Sequence, residues 1–200
     1  LTDFIPFCVL SEAKGMGISM KKKVWVSIIV ILSISIIWYI VPQYRHRTFE
    51  GVLFQLGKEN AQNVQSVQIE IKGIIQRHFF SSITFKGTIR IDDELLPPLE
   101  SPDKKLKVQL GDDFNGGIIK YHRNPETILN ILNPFYYGIL VFNKDFSKMC
   151  ILKYEQSESG MHRSWSGGDG MVYSAPATNR TEALSIANEL MGTALPNPLE

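Results

Sequence analysis

The stretch Thr84-Phe85-Lys86-Gly87-Thr88-Ile89-Arg90-Ile91-Asp92 alternates apolar and polar residues, with Gly87 standing at one apolar position. Successive side chains of a β-strand point to opposite faces, so this period of two predicts a strand with one buried face and one wet face. Residues 67–72 repeat the pattern. Clean alternation is typical of antiparallel sheets that cover a core on one side. The two stretches therefore predict a half-buried antiparallel sheet.

Further apolar runs, separated by turn residues, extend this predicted sheet along most of the chain. The turn at Asn143-Lys144-Asp145 lies between two such runs and predicts a hairpin. Residues 97–103 are predicted to form a surface loop. The other predicted strands are residues 49–56, 106–110, 117–122, 137–142, 148–154 and 171–174.

Two helices are predicted within the same domain. Asn124 and Pro125 begin a short helix, which Pro134 stops. Asn179 with Glu182 is a variant of the capping box and begins a C-terminal helix, which Gly192 ends. Five of its apolar side chains fall on one face, with Ile186 beside them; the five are Ala183, Leu184, Ala187, Leu190 and Met191. The sequence thus predicts an α+β domain, rich in antiparallel strands, with a short helix and a C-terminal helix.

Residues 24–41 precede this domain and contain no charged side chain. A helix of that length covers about 27 Å, close to the hydrocarbon thickness of a bilayer. The segment ends in bulky residues, which differs from the small-residue cleavage site of a signal peptide. We therefore predict a transmembrane anchor whose flanking lysines and interfacial aromatic residues are Lys21, Lys22, Lys23, Trp25, Trp38 and Tyr39.

A buried core helix is the alternative for this segment. A core helix in a small domain needs a polar stripe. Apart from its aromatic residues, this segment offers only three polar side chains, those of Ser27, Ser33 and Ser35. Each serine can bond the carbonyl group four residues earlier, as serines in membrane helices do. The anchor interpretation is therefore favoured.

The segment is preceded by more lysines than the number of arginines that closely follow it. By the positive-inside rule, this difference predicts a cytoplasmic N-terminus and a domain outside the cytoplasm. The margin is small, so a domain tethered on the cytoplasmic side stays open as an alternative. Residues 1–19 are interpreted as a mis-extended or disordered N-terminus, with Met20 as the natural start. The predicted divisions are residues 1–19, a basic flank and span at 20–41, a linker at 42–47, the domain at 48–192 and a tail at 193–200.

One glycine-rich stretch, residues 160–170, concentrates side chains that could act on a ligand. His162, Arg163, Trp165 and Asp169 would offer proton transfer, anion binding and stacking on a pliable backbone. The alternative, which we favour, is a hairpin in which Trp165 covers the edge of the core. The histidines lack metal-ligand spacing, so no metal and no cofactor is predicted. Cys150, which alternates with apolar residues in a strand, is predicted to be a small buried side chain.

The layout resembles that of small single-pass membrane-anchored proteins of Gram-positive bacteria without an assigned function. The matching parts are Met20-Lys21-Lys22-Lys23 with the span, Phe49-Glu50-Gly51, the Phe85–Asp92 strand and the approach to the last helix from Ser174 to Ala183. This resemblance implies a location at the bacterial envelope and brings no catalytic residues.

The formal net charge of +1, with mixed signs, gives no electrostatic footprint for nucleic acid. The leading hypothesis is a domain that binds an envelope protein, a peptide or a wall component without catalysis, anchored in the bilayer by residues 24–41. The alternative is an envelope enzyme with its site around residues 160–170.

Overall fold

A computed structural model describes residues 20–77, 83–111, 115–123, 133–156, 163–192 and 194–200 of the chain. For residues 20–23, 37–40, 156 and 163 it describes the backbone and not the side chain. The predicted short helix beginning at Asn124 lies outside the described residues. The chain forms two compact units, which divide between Tyr39 and Ile40.

Helix α1, Met20–Ile40, lies in the first unit except for its last residue. The hydroxyl groups of Ser33 and Ser35 donate hydrogen bonds to the carbonyl oxygens of Ile29 and Ile31, at 2.8 and 2.9 Å, as predicted from their spacing. The large apolar side chains between residues 24 and 36 are all exposed. Among the side chains that the structure describes, no helix is both long enough and apolar enough to span a membrane.

The second unit is an antiparallel β-sheet that curls into a half-barrel, with a helix at its C-terminus. It is a β-rich α+β fold, as predicted. The order of paired strands is β4-β3-β2-β1-β11-β8-β7-β6, and β5 also pairs with β3. The strands are β1 (Gln43–Gln55), β2 (Val64–Arg77), β3 (Ile83–Ile91), β4 (Glu94–Leu96), β5 (Leu106–Leu110), β6 (Gly116–Tyr121), β7 (Phe135–Phe142), β8 (Met149–Lys153), β9 (Glu155–Gln156), β10 (Arg163–Ser164) and β11 (Met171–Ala175).

The two margins of the sheet approach one another at β5 and β6. The backbone N–H of Gly111 donates to the carbonyl oxygen of Gly116 at 2.9 Å, just beyond the end of β5. A short pair, β9 with β10, stands apart from the main sheet. Every strand pairing among the described residues is antiparallel.

Curling creates an inner apolar cluster on the concave side, drawn from nearly every strand of the main sheet. Its largest fully buried members include Phe85, Ile69, Ile89, Leu140 and Ile151. A second, outer cluster lies on the convex side, between β1, β7, β8, β11 and the C-terminal helix. Strand β8 contributes to both clusters, with Ile151 on the inner face and Cys150 on the outer face.

Helix α2, Arg180–Met191, covers the outer cluster. Asn179 caps it as predicted, because its side-chain oxygen accepts from the backbone N–H of Glu182 at 3.0 Å. The carboxylate of Glu182 returns the bond to the backbone N–H and hydroxyl of Thr178, both at 2.9 Å. The predicted apolar face is the buried face, formed by Ala183, Ile186, Ala187, Leu190 and Met191, with Leu184 partly buried.

Glycines allow β2 and β3 to approach one another more closely than side chains would permit. Gly73 and Gly87 are cross-strand partners on the inner face. A Cβ atom added to Gly87 would overlap the backbone carbonyl of Lys72 and the Cα of Gly73. Gly87 therefore replaces an apolar residue in the alternating pattern because two backbones meet there.

Two predicted boundaries are wrong. Strand β1 begins at Gln43, so residues 43–47 are strand rather than linker, because they pair with residues 71–75 of β2. The segment predicted as a tail is packed against the domain: Leu199 is buried in the outer cluster and exchanges two hydrogen bonds with Asn188, at 2.7 and 3.0 Å. The carbonyl of Glu200 also accepts from the N–H of Gly57 at 2.8 Å.

Each predicted strand lies within an observed strand or extends past it by one residue at an end, while β1 and β2 run several residues further than predicted. The predicted hairpin at Asn143 joins β7 to β8. The short strands β4, β9 and β10 were missed, since two or three residues carry no periodic signal.

Candidate functional site

A cleft of about 590 Å³ lies at the margin of the inner cluster, and we call it the aromatic cleft. Its walls come from β4, from the end of β6, from the start of β7, from the end of β8 and from the starts of β9 and β11. This volume lies within the range of small-ligand sites in proteins. The lining residues are Glu94, Pro98, Tyr121, Arg123, Phe135, Tyr137, Lys153, Tyr154, Glu155 and Met171.

A β-bulge brings Tyr137 into this cleft. Ile119 of β6 lies opposite Gly138 of β7, and the next residue, Lys120, lies opposite Tyr136. Tyr137 is therefore an extra residue without a partner in that ladder. Bulges redirect a side chain relative to the regular alternation, and they are frequent beside active and binding sites.

The Tyr137 side chain is almost completely buried, with 4% of its surface exposed. Its hydroxyl donates to the Oε2 atom of Glu94 at 3.1 Å. Burial, followed by the neighbouring Tyr173 and Glu94, raises the pKa of Tyr137 far above its usual value. The phenol therefore stays protonated at neutral pH, where it donates to Glu94 and cannot act as a base.

Lys153 continues this polar group on the other side. Its Nζ atom donates to the hydroxyl of Tyr173 at 3.4 Å and lies 5.9 and 5.8 Å from the ring centroids of Tyr137 and Tyr173. Those distances are within the range of cation–π attraction. Lys153 thus contacts the phenol of Tyr173, and Glu94 contacts that of Tyr137, so the cation and the carboxylate lie beside a pair of neighbouring tyrosines.

The opposite wall combines a second cation with aromatic rings. The guanidinium of Arg123 lies 3.6 Å from the ring centroid of Phe135, which is a stacked arrangement. The Phe135 ring in turn lies 5.1 Å from that of Tyr121. Phe135 and Tyr154 are only partly buried, so part of their surface faces the cleft.

Formal charges in the lining balance, since Arg123 and Lys153 stand against Glu94 and Glu155. The cleft thus holds donors, acceptors and aromatic surface with no net charge. Among the described residues, no group of three His, Cys, Asp or Glu side chains lies close enough together to hold a metal ion.

The predicted loop at residues 160–170 borders this cleft through its backbone. Ser164 of β10 pairs with Glu155, and the indole N–H of Trp165 donates to the carbonyl of Met171 at 3.2 Å; both partners line the cleft. Trp165 itself packs against the outer cluster. It therefore holds the strand that carries Met171, which is the covering role favoured from the sequence.

The other predicted site residues of this loop are not brought together. Asp169 is exposed on the turn and does not line the aromatic cleft. For Arg163 the structure describes only the backbone, which pairs with Gln156, and His162 lies outside the described residues. Whether these residues bind a ligand stays a prediction.

The predicted anchor residues belong to α1. Trp25 is exposed, while the side chains of Lys21, Lys22, Lys23, Trp38 and Tyr39 are not described. Their role in a membrane stays a prediction. Cys150 is buried in the outer cluster as predicted, and burial raises the pKa of its thiol to about 12. It is therefore an inert core side chain.

Sequence patterns alone missed the residues of the aromatic cleft. They come from six strands and the loops beside them, and Tyr137 enters the cleft through a bulge that breaks the period of two. The one available signal was the density of Tyr and Phe at residues 135–137 beside charged residues in neighbouring predicted strands.

No family model matches the chain, and the comparisons with curated proteins and with solved structures gave no match either. Function therefore has to be inferred from the residues and their geometry.

Proposed function

We propose that this chain is a membrane-anchored binding protein of the bacterial envelope, and that its aromatic cleft binds a small saccharide without transforming it. The observation that carries the proposal is a polar group at a cleft of about 590 Å³, in which Lys153 donates to Tyr173 and Tyr137 donates to Glu94. Such an arrangement presents fixed donors and acceptors beside aromatic surface.

A saccharide fits this chemistry better than a charged ligand. Its hydroxyl groups both donate and accept hydrogen bonds, which matches the alternation of Lys153, Tyr137 and Glu94. The apolar faces of sugar rings pack on aromatic side chains such as Tyr154 and Phe135. The lining carries two positive and two negative side chains. A charged ligand would therefore be repelled by as many of these groups as attract it.

The chemistry of Tyr137 favours binding over catalysis. A general base needs a pKa near the working pH. Burial raises the pKa of Tyr137 further above neutral pH, so this phenol is unsuited to that role. The loop at residues 160–170, the alternative place for a reaction, contributes Trp165 to the outer cluster rather than to the cleft.

The anchor is supported by the uncharged run at residues 24–41, by the lysines before it and by aromatic residues at its two ends. Within the domain, the lining residue Met171 pairs with Gln55, the last residue of β1. A strand of the length of β1, Gln43–Gln55, extends about 40 Å. The chain from the anchor enters β1 at Gln43, the end of the strand opposite to Gln55.

Calorimetric titration of the full chain in phosphatidylcholine nanodiscs tests binding in the cleft. Chitotriose is the saccharide probe, and a neutral tripeptide of similar size is the competing probe. We expect heat from the saccharide alone, with affinity lowered at least tenfold by Tyr154→Ala and by Glu94→Gln.

The matched control is Tyr44→Ala, which removes a tyrosine of β1 that does not line the cleft. Binding that the Tyr44 change weakens as much as the Tyr154 change would contradict the assignment of the cleft. Heat from the tripeptide alone would replace the saccharide by a peptide.

Cysteine labelling in intact cells tests anchoring and orientation. A Leu99→Cys change in a Cys8→Ser background places one reactive thiol on the surface, because Leu99 is 78% exposed. The unchanged Cys150 is its internal control, because that buried thiol should not react. Labelling by an impermeant maleimide, with the protein retained in carbonate-washed membranes, is expected. Labelling only after lysis would favour the cytoplasm-facing alternative.

A further inference from the structure

A row of four exposed side chains crosses the convex face of the half-barrel, away from the aromatic cleft. Tyr44 of β1 pairs with Ile74 of β2, Ile74 pairs with Lys86 of β3, and Lys86 pairs with Lys107 of β5. Tyr44 is 67% and Ile74 38% exposed, so both present apolar surface beside the lysines. We call this set, Tyr44, Ile74, Lys86 and Lys107, the basic row.

The lysines of the basic row are directly opposed. Like charges on directly paired residues of an antiparallel sheet are destabilising. Neither Lys86 nor Lys107 has an ion-pair partner among the described residues. The fold therefore retains a repulsion that a single acidic residue would have removed.

Further lysines continue the row across β5 and β6. Lys105, Lys107 and Lys120 line one open cleft on this face, of about 1090 Å³. The one carboxylate in that lining belongs to Asp103. It is engaged by His122, whose backbone N–H and Nδ1 atom lie 2.6 and 2.8 Å from its Oδ2 atom.

The next acidic residue on this face is already neutralised. Glu70 of β2 is held by Lys72 at 2.6 Å, by His46 at 2.9 Å and by Arg90 at 3.6 Å. Hydrogen bonds from Lys72 and His46 hold the pKa of that carboxyl below its usual value. The positive charge of the row is thus left for a partner outside the described residues.

We propose that the basic row docks on the anionic phospholipid headgroups of the bilayer in which the chain is anchored. This inference rests on the anchoring part of the proposed function. Tyr44 stands only four positions after Ile40, the last residue of α1. A chain held in a bilayer by residues 24–41 has to keep Tyr44 close to the headgroups.

The composition of the row matches a membrane interface rather than another anionic partner. Tyrosine and lysine are both favoured there, since the ring lies at headgroup level and the ammonium group reaches the phosphates. Each lysine near an anionic leaflet contributes attraction that is screened within a Debye length. Docking would fix the orientation of the half-barrel on the membrane.

Acetylation of lysines in the reconstituted full chain tests the proposal. The protein is placed in nanodiscs of phosphatidylcholine alone or with about one third phosphatidylglycerol, and labelling rates are followed by peptide mass spectrometry. We expect Lys86, Lys107 and Lys120 to react at least fivefold more slowly in the anionic discs. Lys58, which pairs with Glu200 on another part of the domain, should react equally in both.

A double variant of the row and a control variant test whether the protection depends on the lysines of the row. Lys86→Gln with Lys107→Gln should remove the protection at Lys120, while Lys58→Gln should not. High salt should abolish the difference between the two lipids. Equal rates at Lys86, Lys107 and Lys120 in the two kinds of disc would overturn the docking proposal.

Failure of the anchor gives a different result. A chain that does not stay in either disc after washing contradicts anchoring. Flotation of the chain with lipid vesicles then tests by itself whether the basic row binds anionic lipid. Flotation with anionic vesicles and not with neutral ones would still support docking. Flotation with neither would reject both proposals.

Discussion

The convex face of the half-barrel has two regions, one covered by a helix and one exposed to solvent. On β1, β8 and β11 it is apolar and covered by α2, which buries Phe54, Leu152 and Val172 completely or almost so. On β2, β3 and β5 the same face is polar, with Ile74, Lys86 and Lys107 exposed. Alternation permits both outcomes, so what covers a strand depends on elements distant in the sequence.

The two regions also differ in what limits their stability. The covered region depends on close packing between helix and sheet, where a missing atom leaves a void. The uncovered region depends on backbone pairing and on the inner cluster, and its outward side chains contribute little. Substitutions in the two regions should therefore separate clearly by size.

The largest expected difference is between Leu152→Ala and Ile74→Ala. Leu152 is buried under α2, and its truncation should lower the free energy of unfolding by about 2–5 kcal/mol through lost burial and a cavity. Ile74 is partly exposed, so its truncation should cost less than about 1 kcal/mol. Urea titrations of the detergent-solubilised chain measure both, and similar costs would contradict the comparison.

The second prediction concerns the close approach of backbones in the uncovered region. Gly87→Ala should lower the free energy of unfolding by about 3 kcal/mol, because the added methyl group meets backbone atoms of Lys72 and Gly73 that cannot move aside. Gly111→Ala is the control, since its added Cβ has no neighbour nearer than 3.7 Å. That variant should be neutral or slightly more stable in the same urea titration.

A smaller effect is expected at the cap that positions α2 over the covered region. Asn179→Ala removes the acceptor for the N–H of Glu182 and should cost about 1 kcal/mol. Thr181→Ala changes an exposed neighbour and leaves the cap intact. Equal thermal midpoints for the Asn179 and Thr181 variants would show that the cap contributes nothing.

The same cap should make stability depend on pH. Hydrogen bonds from the backbone N–H and hydroxyl of Thr178 lower the pKa of Glu182 below its usual 4.5. The bonds therefore stabilise the folded state above pH 4.5, and this contribution disappears as the pH falls through the lower folded-state pKa. Glu182→Gln should be less stable than the parent at neutral pH, with the difference closing in acid. A difference independent of pH would exclude this carboxylate as its source.

The smallest expected change lies in the basic row. Lys86→Glu should raise stability by about 0.2–1 kcal/mol, because it turns a repelling pair with Lys107 into an attracting one. Adding Lys107→Glu should return stability to near the parent value. A thermodynamic cycle over the four proteins measures this coupling, and its absence would mean that solvent screens the pair completely.

Local sequence patterns predicted much of the domain. The alternation in β2 and β3 fixed which side chains share a face, because that property depends only on neighbours in the chain. The start of α2 at Asn179 was equally predictable, since a cap is formed within four residues. The boundary at Gln43 was not, because strand pairing with β2 extends β1 beyond its apolar run.

The aromatic cleft could not be predicted in the same way. Tyr137 reaches it through a bulge opposite Ile119 and Lys120, which exists only once β6 and β7 are in register. Glu94 lies 43 residues from Tyr137 in sequence and meets it through the curling of the sheet. Residues 160–170 were singled out by composition, yet their tryptophan supports the outer cluster.

The sequence by itself determined the uncharged run at residues 24–41, the faces of the principal strands and the limits of the last helix, since each depends on residues a few positions apart. Only the tertiary structure decided the strand order, the burial of β8 on both faces, the union of Tyr137 with Glu94 and Lys153, and the alignment of Tyr44, Ile74, Lys86 and Lys107. Those features depend on register between strands. Register is set by pairing across the whole sheet, which no local period records.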